Sequence, residues 1–127
     1  MRKIFIDSSV LIELFKGNQL AYEKLYANGE ADNLFFINPV VVSEITYILK
    51  KKLKFSYDQI FKILQGYEIL PVDAMTVKKA FELMASYNLR PNDALILATV
   101  LLHNIQYFIT LDSDFKNATA ELNIELL

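Results

Sequence analysis

Four acidic residues stand where solubility alone does not explain them: Asp7, Glu44, Asp93 and Asp112. Asp7 closes a short apolar run, Ile4-Phe5-Ile6, and is followed by Ser8-Ser9. Asp112 follows a second such run, Phe108-Ile109-Thr110-Leu111, with Asp114 two positions further on. Glu44 has Val40, Val41, Tyr47 and Ile48 at helical spacing, so no lysine or arginine stands at i±3 or i±4 to pair with it. An unpaired carboxylate bordering an apolar face is costly unless something cationic meets it. Asp93 opens the run Asp93-Ala94-Leu95-Ile96. Each has an ordinary alternative. Asp7 can be a turn or cap residue, although Ser8 and Ser9 could cap the next helix themselves. Glu44 can lean into water, Asp93 is favoured by a helix dipole, and Asp112 with Asp114 can be turn chemistry.

Taken together, the four point to a hard cation. Oxygen ligands without histidine or cysteine select magnesium or manganese over zinc. One or two such ions lower the pKa of a bound water and stabilise charge building on a phosphodiester. Carboxylates about 5 Å apart repel by roughly 3 kcal/mol at an effective dielectric near 20. At least one of them is therefore expected to have a raised pKa, with like charges as the main cause. The chain has no cysteine, which excludes disulfides, thiolate zinc sites and cysteine nucleophiles. Its one histidine, His103, is expected at the far end of the helix that Asp93 begins, so a serine–histidine–acid triad fails. None of the three glycines forms a phosphate-binding loop.

The elements that must position these residues alternate. Apolar strand candidates are 3–6, 34–37, 68–72, 106–110 and 124–127; helical segments are 10–16, 19–27, 39–53, 57–65, 74–87 and 93–103. Gly17, Gly29 and Gly66 suit left-handed helix ends. Asn38-Pro39 reads as an N-cap followed by proline at the first helical position, and Ser56 and Asp73 as further N-caps. Strands apolar on both faces, alternating with helices, imply a buried parallel sheet covered on both sides. The expected fold is therefore α/β, a three-layer sandwich, with residues 1–127 as one domain. Asp7 and Asp112 then lie at strand carboxyl ends, the functional edge of such sheets. Glu44 follows a short connection from another strand end. The helix of Asp93 runs antiparallel to the strand after it, which brings its start to the same edge.

Composition bounds the rest. At 127 residues, 54% apolar and 22% charged, the chain has the profile of a folded globular protein. After Met1-Arg2-Lys3 only Ile4-Phe5-Ile6 precede Asp7, too short a run for a signal-peptide core, and segment 94–102 is about half of a bilayer span. A cytoplasmic protein with no membrane role is expected. Net charge is −2 and pI about 5.4, so any nucleic-acid contact must come from a local patch. Lys50, Lys51, Lys52 and Lys54 cluster at a helix end, where the dipole favours them without any RNA. Segment 94–102 is apolar on nearly every face, so it is either sandwiched within the domain or covered by another chain. With 7 Tyr and 9 Phe, this points to a homodimer.

The motifs Ile6-Asp7-Ser8-Ser9, Val42-Ser43-Glu44-Ile45, Asn92-Asp93-Ala94-Leu95-Ile96-Leu97-Ala98-Thr99 and Thr110-Leu111-Asp112-Ser113-Asp114-Phe115 occur in this order across the chain. In them the sequence resembles the PIN-domain family, in particular toxins of the VapBC type. The resemblance implies a sheet of order 3-2-1-4-5 and magnesium- or manganese-dependent RNA cleavage. It also implies frequent homodimers and, for the toxins, an antitoxin that covers the active site. By position Asp7, Glu44, Asp93 and Asp112 match the family's acidic cluster. Asp114 matches a further acidic position that binds metal directly or through water, and Thr110 a hydroxyl residue that orients a metal-bound water. PIN domains also serve in RNA maturation, a non-toxin alternative.

Two phosphotransfer readings compete. A response-regulator receiver wants paired acids after the first strand, an acceptor aspartate after the third and a lysine after the fifth. Asp73 could be the acceptor, but Asp7 has no adjacent acid and that lysine is missing. A haloacid-dehalogenase-type phosphatase wants a second aspartate where Ser9 stands.

Overall fold

The computed structural model describes residues 2–27 and 32–127. Strands β1 (Lys3–Ile6), β2 (Leu34–Ile37), β3 (Glu68–Ile69), β4 (Tyr107–Ile109) and β5 (Glu125–Leu126) form one parallel sheet in the order β3-β2-β1-β4-β5. The expected order 3-2-1-4-5 and the α/β class are therefore observed. Central β1 pairs Phe5 with Phe36 on one side and Phe108 on the other. Ile4, Phe5 and Ile6 are fully buried, because helices cover both faces and leave no side for a polar residue.

The edge strands are shorter than the sequence pattern implies. Segment 68–72 pairs only at Glu68–Ile69. The Leu70 N–H still reaches Ile37 O at 2.8 Å, but Pro71 has no N–H to continue the ladder.

The helices are α1 (Ser8–Phe15), α2 (Gln19–Ala27), α3 (Pro39–Lys51), α4 (Tyr57–Leu64), α5 (Ala74–Tyr87), α6 (Pro91–Leu102) and α7 (Lys116–Glu121). Ser56 and Asp73 each close a reciprocal capping box. Gly17 takes the expected left-handed turn at φ +83°. Gly66 does not, and Gly29 lies outside the described residues. Lys54, Asn88, Asn104 and Asn123 hold left-handed positions instead, Asn88 as the C-cap of α5. Asparagine tolerates this region because its short polar side chain bonds locally.

α1 begins at Ser8, earlier than the apolar periodicity indicates, and α6 begins at Pro91 rather than Asp93. Neither Ser8 nor Ser9 caps α1. The N-cap position is Asp7, whose side chain makes no cap bond. α7 and the 3-10 turn Ser113–Phe115 before it have no counterpart in the sequence reading. Six residues, Lys116–Glu121, are too few to show an apolar period. They are held by Phe115, which meets Phe108 edge-on at 4.9 Å, while Phe108 lies 5.9 Å from Phe5.

α6 settles the choice left open for segment 94–102. Ala94, Ile96, Leu97, Ala98, Thr99 and Val100 are buried inside the chain, where α6 packs on α5 and α3. No second chain is needed to cover them. The α3–α6 seam has a polar rivet in Asn38, which is fully buried. Its Oδ1 accepts from Val41 N–H at 3.1 Å, and its Nδ2 donates to Thr99 Oγ1 at 2.9 Å. Asn38→Ala removes a cap and the donor to the buried Thr99 hydroxyl, which keeps only its own bond to Leu95 O at 2.8 Å. We expect a loss of about 2–3 kcal/mol in urea unfolding.

Candidate metal centre

The carboxyl edge of β1 and β4 holds a hydrogen-bonded knot. Asp7, 3% exposed, donates its backbone N–H to Ile109 O at 3.0 Å, fixing the ends of the two strands together. Its Oδ2 accepts from Ser9 Oγ and from Thr110 Oγ1, both at 2.7 Å. Ser9 Oγ in turn accepts from Leu111 N–H at 3.0 Å, and Thr110 Oγ1 accepts from Asp112 N–H at 3.0 Å. Asp112 Oδ1 accepts from Asp114 N–H at 2.9 Å and so starts the 3-10 turn. The turn chemistry anticipated for Asp112 is thus present, and it aims the loop rather than replacing a site.

Glu44 approaches from α3, half-buried. In place of a cation it meets Ser8, whose Oγ donates to Glu44 Oε1 at 2.8 Å. Asp93 lies in the first turn of α6. Ligand oxygens of Asp93, Asp112 and Asp114 fall within 4.8 Å of one another. Asp7 and Glu44 stand outside this tight group, yet they line the same cleft as Asp93 and Asp112, of about 570 Å³. The edge predicted from connectivity therefore gathers all five acids, in two ranks.

Electrostatics mark the same place. Burial holds the Asp7 carboxyl above its usual range, opposed by the Ser9 and Thr110 hydroxyls and assisted by the Glu44 charge. Asp93 is pushed up to about 6, first by burial and then by Asp112, Asp7, Glu44 and Asp114. Like charges were expected to dominate. Burial is the larger cause, because both groups sit where water is partly excluded. A compact set of carboxylates, crowded and short of solvent, suits a small hard dication.

Among the cleft residues to which sequence reasoning gave no site role are Ser8 and Ser9, read as alternative caps, and Arg90. The signal for the serines was their adjacency to Asp7. That for Arg90 was its place before Pro91, which fixes the backbone entering α6. His103 caps the other end of α6, with Nδ1 3.0 Å from Thr99 O. Of the lysine cluster, Lys50 and Lys51 lie over the rings of Tyr57 and Tyr47, at 4.8 and 5.2 Å.

A family model described as PIN domain matches residues 4–121. The chain belongs to the PIN-domain family. As a PIN domain it is similar to ribonuclease VapC2 of Methanocaldococcus jannaschii, at 31% identity over 90% of this chain and 87% of the relative. Ribonuclease VapC6 of the same organism is 33% identical, over 89% and 90%. Among solved structures, a toxin-antitoxin complex from Klebsiella pneumoniae superposes with a TM-score of 0.75. Identity there is 27%, covering 88% of this chain and 89% of that one. PIN membership ends the receiver and phosphatase readings. No helix among the described residues is long and apolar enough to cross a membrane.

Proposed function

We propose that this PIN domain is a magnesium- or manganese-dependent endoribonuclease, the cytoplasmic toxin of a toxin–antitoxin pair. The observation that carries the reading is the convergence of Asp93, Asp112 and Asp114 beside Asp7 and Glu44 in one cleft. The names of the two curated relatives and of the Klebsiella complex support the RNA substrate and the antitoxin. Asp93, Asp112 and Asp114 would hold the ion, with Asp7 and Glu44 completing the acidic wall. When bound, the ion supplies charge stabilisation at the phosphate and acidifies water.

The chain's own residues do the positioning. The Thr110 hydroxyl donates a hydrogen bond to Asp7 and accepts one from the N–H of Asp112, locking the inner carboxylate to the outer loop. Ser8 holds Glu44 against rotation, and the Asp112–Asp114 bond keeps the outer pair in register. Incubating the protein with defined RNAs and magnesium or manganese, then mapping the ends, tests the activity. Intact RNA at every metal concentration contradicts it.

Two partner proposals accompany this reading. An antitoxin presenting arginine or lysine to the cleft replaces the ion electrostatically. Added antitoxin peptide is then expected to weaken manganese binding, and additive, independent binding of both would rule this out. A homodimer is the second. Its support is no longer α6 but the exposed apolar residues of α4 and α5, with Phe61 62% and Phe81 67% exposed. Light scattering at micromolar concentration is expected to give a dimer mass; a monomer mass contradicts it.

A further inference from the structure

A chain of net charge −2 cannot draw in RNA by its overall field, so some local cation must hold the strand. Lys50 and Lys51 lie over tyrosine rings, and neither lines the acidic cleft. Arg90 does line it, and among the described residues it is the only basic one there. Among the described residues it makes no ion pair, although Asp93 lies three positions on. Its backbone, at φ −68° and ψ 154°, is held extended by Pro91, and the preceding Leu89 is buried. The guanidinium therefore extends from a rigid point on the cleft wall.

Arg90 is also the wall of a second cleft, of about 400 Å³, lined by Asn88, Ser113, Asp114 and Asn117 among others. The two clefts meet at the acids. Asp93 and Asp112 line the first, Asp114 the second, and their ligand oxygens lie within 4.8 Å of one another. A strand whose scissile phosphate sits at the acids has a continuous path past Arg90 into this neighbour. The neighbour offers the side-chain amides of Asn88 and Asn117 and the Ser113 hydroxyl, which both donate and accept, as ribose hydroxyls and base edges require. A guanidinium fork fits phosphate oxygens two at a time.

We propose that Arg90 grips the phosphate next to the scissile one, and that the RNA strand continues into the cleft of Asn88, Ser113 and Asn117. This rests on the ribonuclease reading above and names how the substrate lies in that site.

The test uses a single-stranded oligoribonucleotide with wild type, Arg90→Ala and Arg90→Lys. The variant Lys62→Ala, exposed on α4, serves as a charge-matched control. Loss of one charge-assisted contact is expected to raise KM by about 10–100-fold in Arg90→Ala. The rise should be smaller in Arg90→Lys, which keeps charge but not the fork. The log–log salt dependence of affinity should become shallower by about 0.7 in Arg90→Ala, with manganese affinity at its wild-type value. Lys62→Ala should change none of these. Wild-type KM and salt dependence in Arg90→Ala would overturn the proposal. So would a fall in kcat at unchanged KM, which places Arg90 on the reacting phosphate instead. RNA binding by fluorescence anisotropy in an Asp112→Asn background separates this from the parent reading. Arg90-dependent binding by a chain whose wild type never cuts keeps the subsite and removes the nuclease. Cutting that ignores Arg90 does the reverse.

Discussion

Asp112→Asn is expected to lower kcat for RNA cleavage by on the order of a thousandfold while the protein stays folded. Asparagine keeps the oxygen that accepts Asp114 N–H at 2.9 Å, so the 3-10 turn and the Phe115 anchor survive. What disappears is one negative ligand from a group of three. A divalent ion contributes several kcal/mol of charge stabilisation to phosphodiester cleavage, and each 1.36 kcal/mol is tenfold in rate, so losing about 4 kcal/mol gives three decades. Asp93→Asn should lose as much. Its carboxyl also suits a helix first turn, so the two roles separate cleanly here. Full activity in Asp93→Asn would leave it a helix-dipole residue and remove it from the site.

The second large effect is on stability. With no cation bound, Asp93 is pushed up to about 6, against an ordinary value of 3.8. A raised folded-state pKa favours the folded state fully below pH 3.8, and that advantage is lost as pH rises through about 6. Because the carboxyl is half exposed, solvent screening reduces the loss to about 1–2 kcal/mol. A divalent cation binds only the assembled site. At a hundred times its dissociation constant it should add about 2.7 kcal/mol, on the order of 5–15 °C in Tm. The gain should be larger at pH 7 than at pH 5, where protons compete for Asp93. The Asp7→Asn, Asp112→Asn double variant should show no metal response and should itself melt above the metal-free wild type. Differential scanning fluorimetry with magnesium and manganese reads all of these. An unchanged Tm at millimolar metal would mean that the cluster holds no ion.

The parts legible in the sequence share one property: their signal is local. β1 and β2 show as short apolar runs, and α2 and α5 run over the expected residues because caps and apolar spacing bracket them. The edge on which Asp7, Glu44, Asp93 and Asp112 meet followed from the strand carboxyl ends of Asp7 and Asp112 and the short connections that bring Glu44 and Asp93 to them. What was missed depends on long-range contacts. Adjacency to Asp7 hinted at the Ser9 hydroxyl, but nothing near Ser9 in sequence tells that it also takes Leu111 N–H from 102 positions away. α7 is anchored where Phe115 meets the Phe108 ring, and Arg90 lines a cleft whose other walls, Asp7, Ser8, Ser9, Ile12 and Glu44, lie far from it in sequence. The apolar α6 misled for the opposite reason: helical periodicity cannot distinguish burial among a chain's own helices from burial under a partner.

The most direct measurement is RNA cleavage by purified wild-type protein before chelation, after EDTA treatment and after manganese is restored. The end-mapped products should vanish on chelation and return at the same sites on restoration, with no return in Asp112→Asn. Cleavage that persists in excess EDTA, or that manganese restores equally in Asp112→Asn, would contradict the acidic centre as the source of the activity.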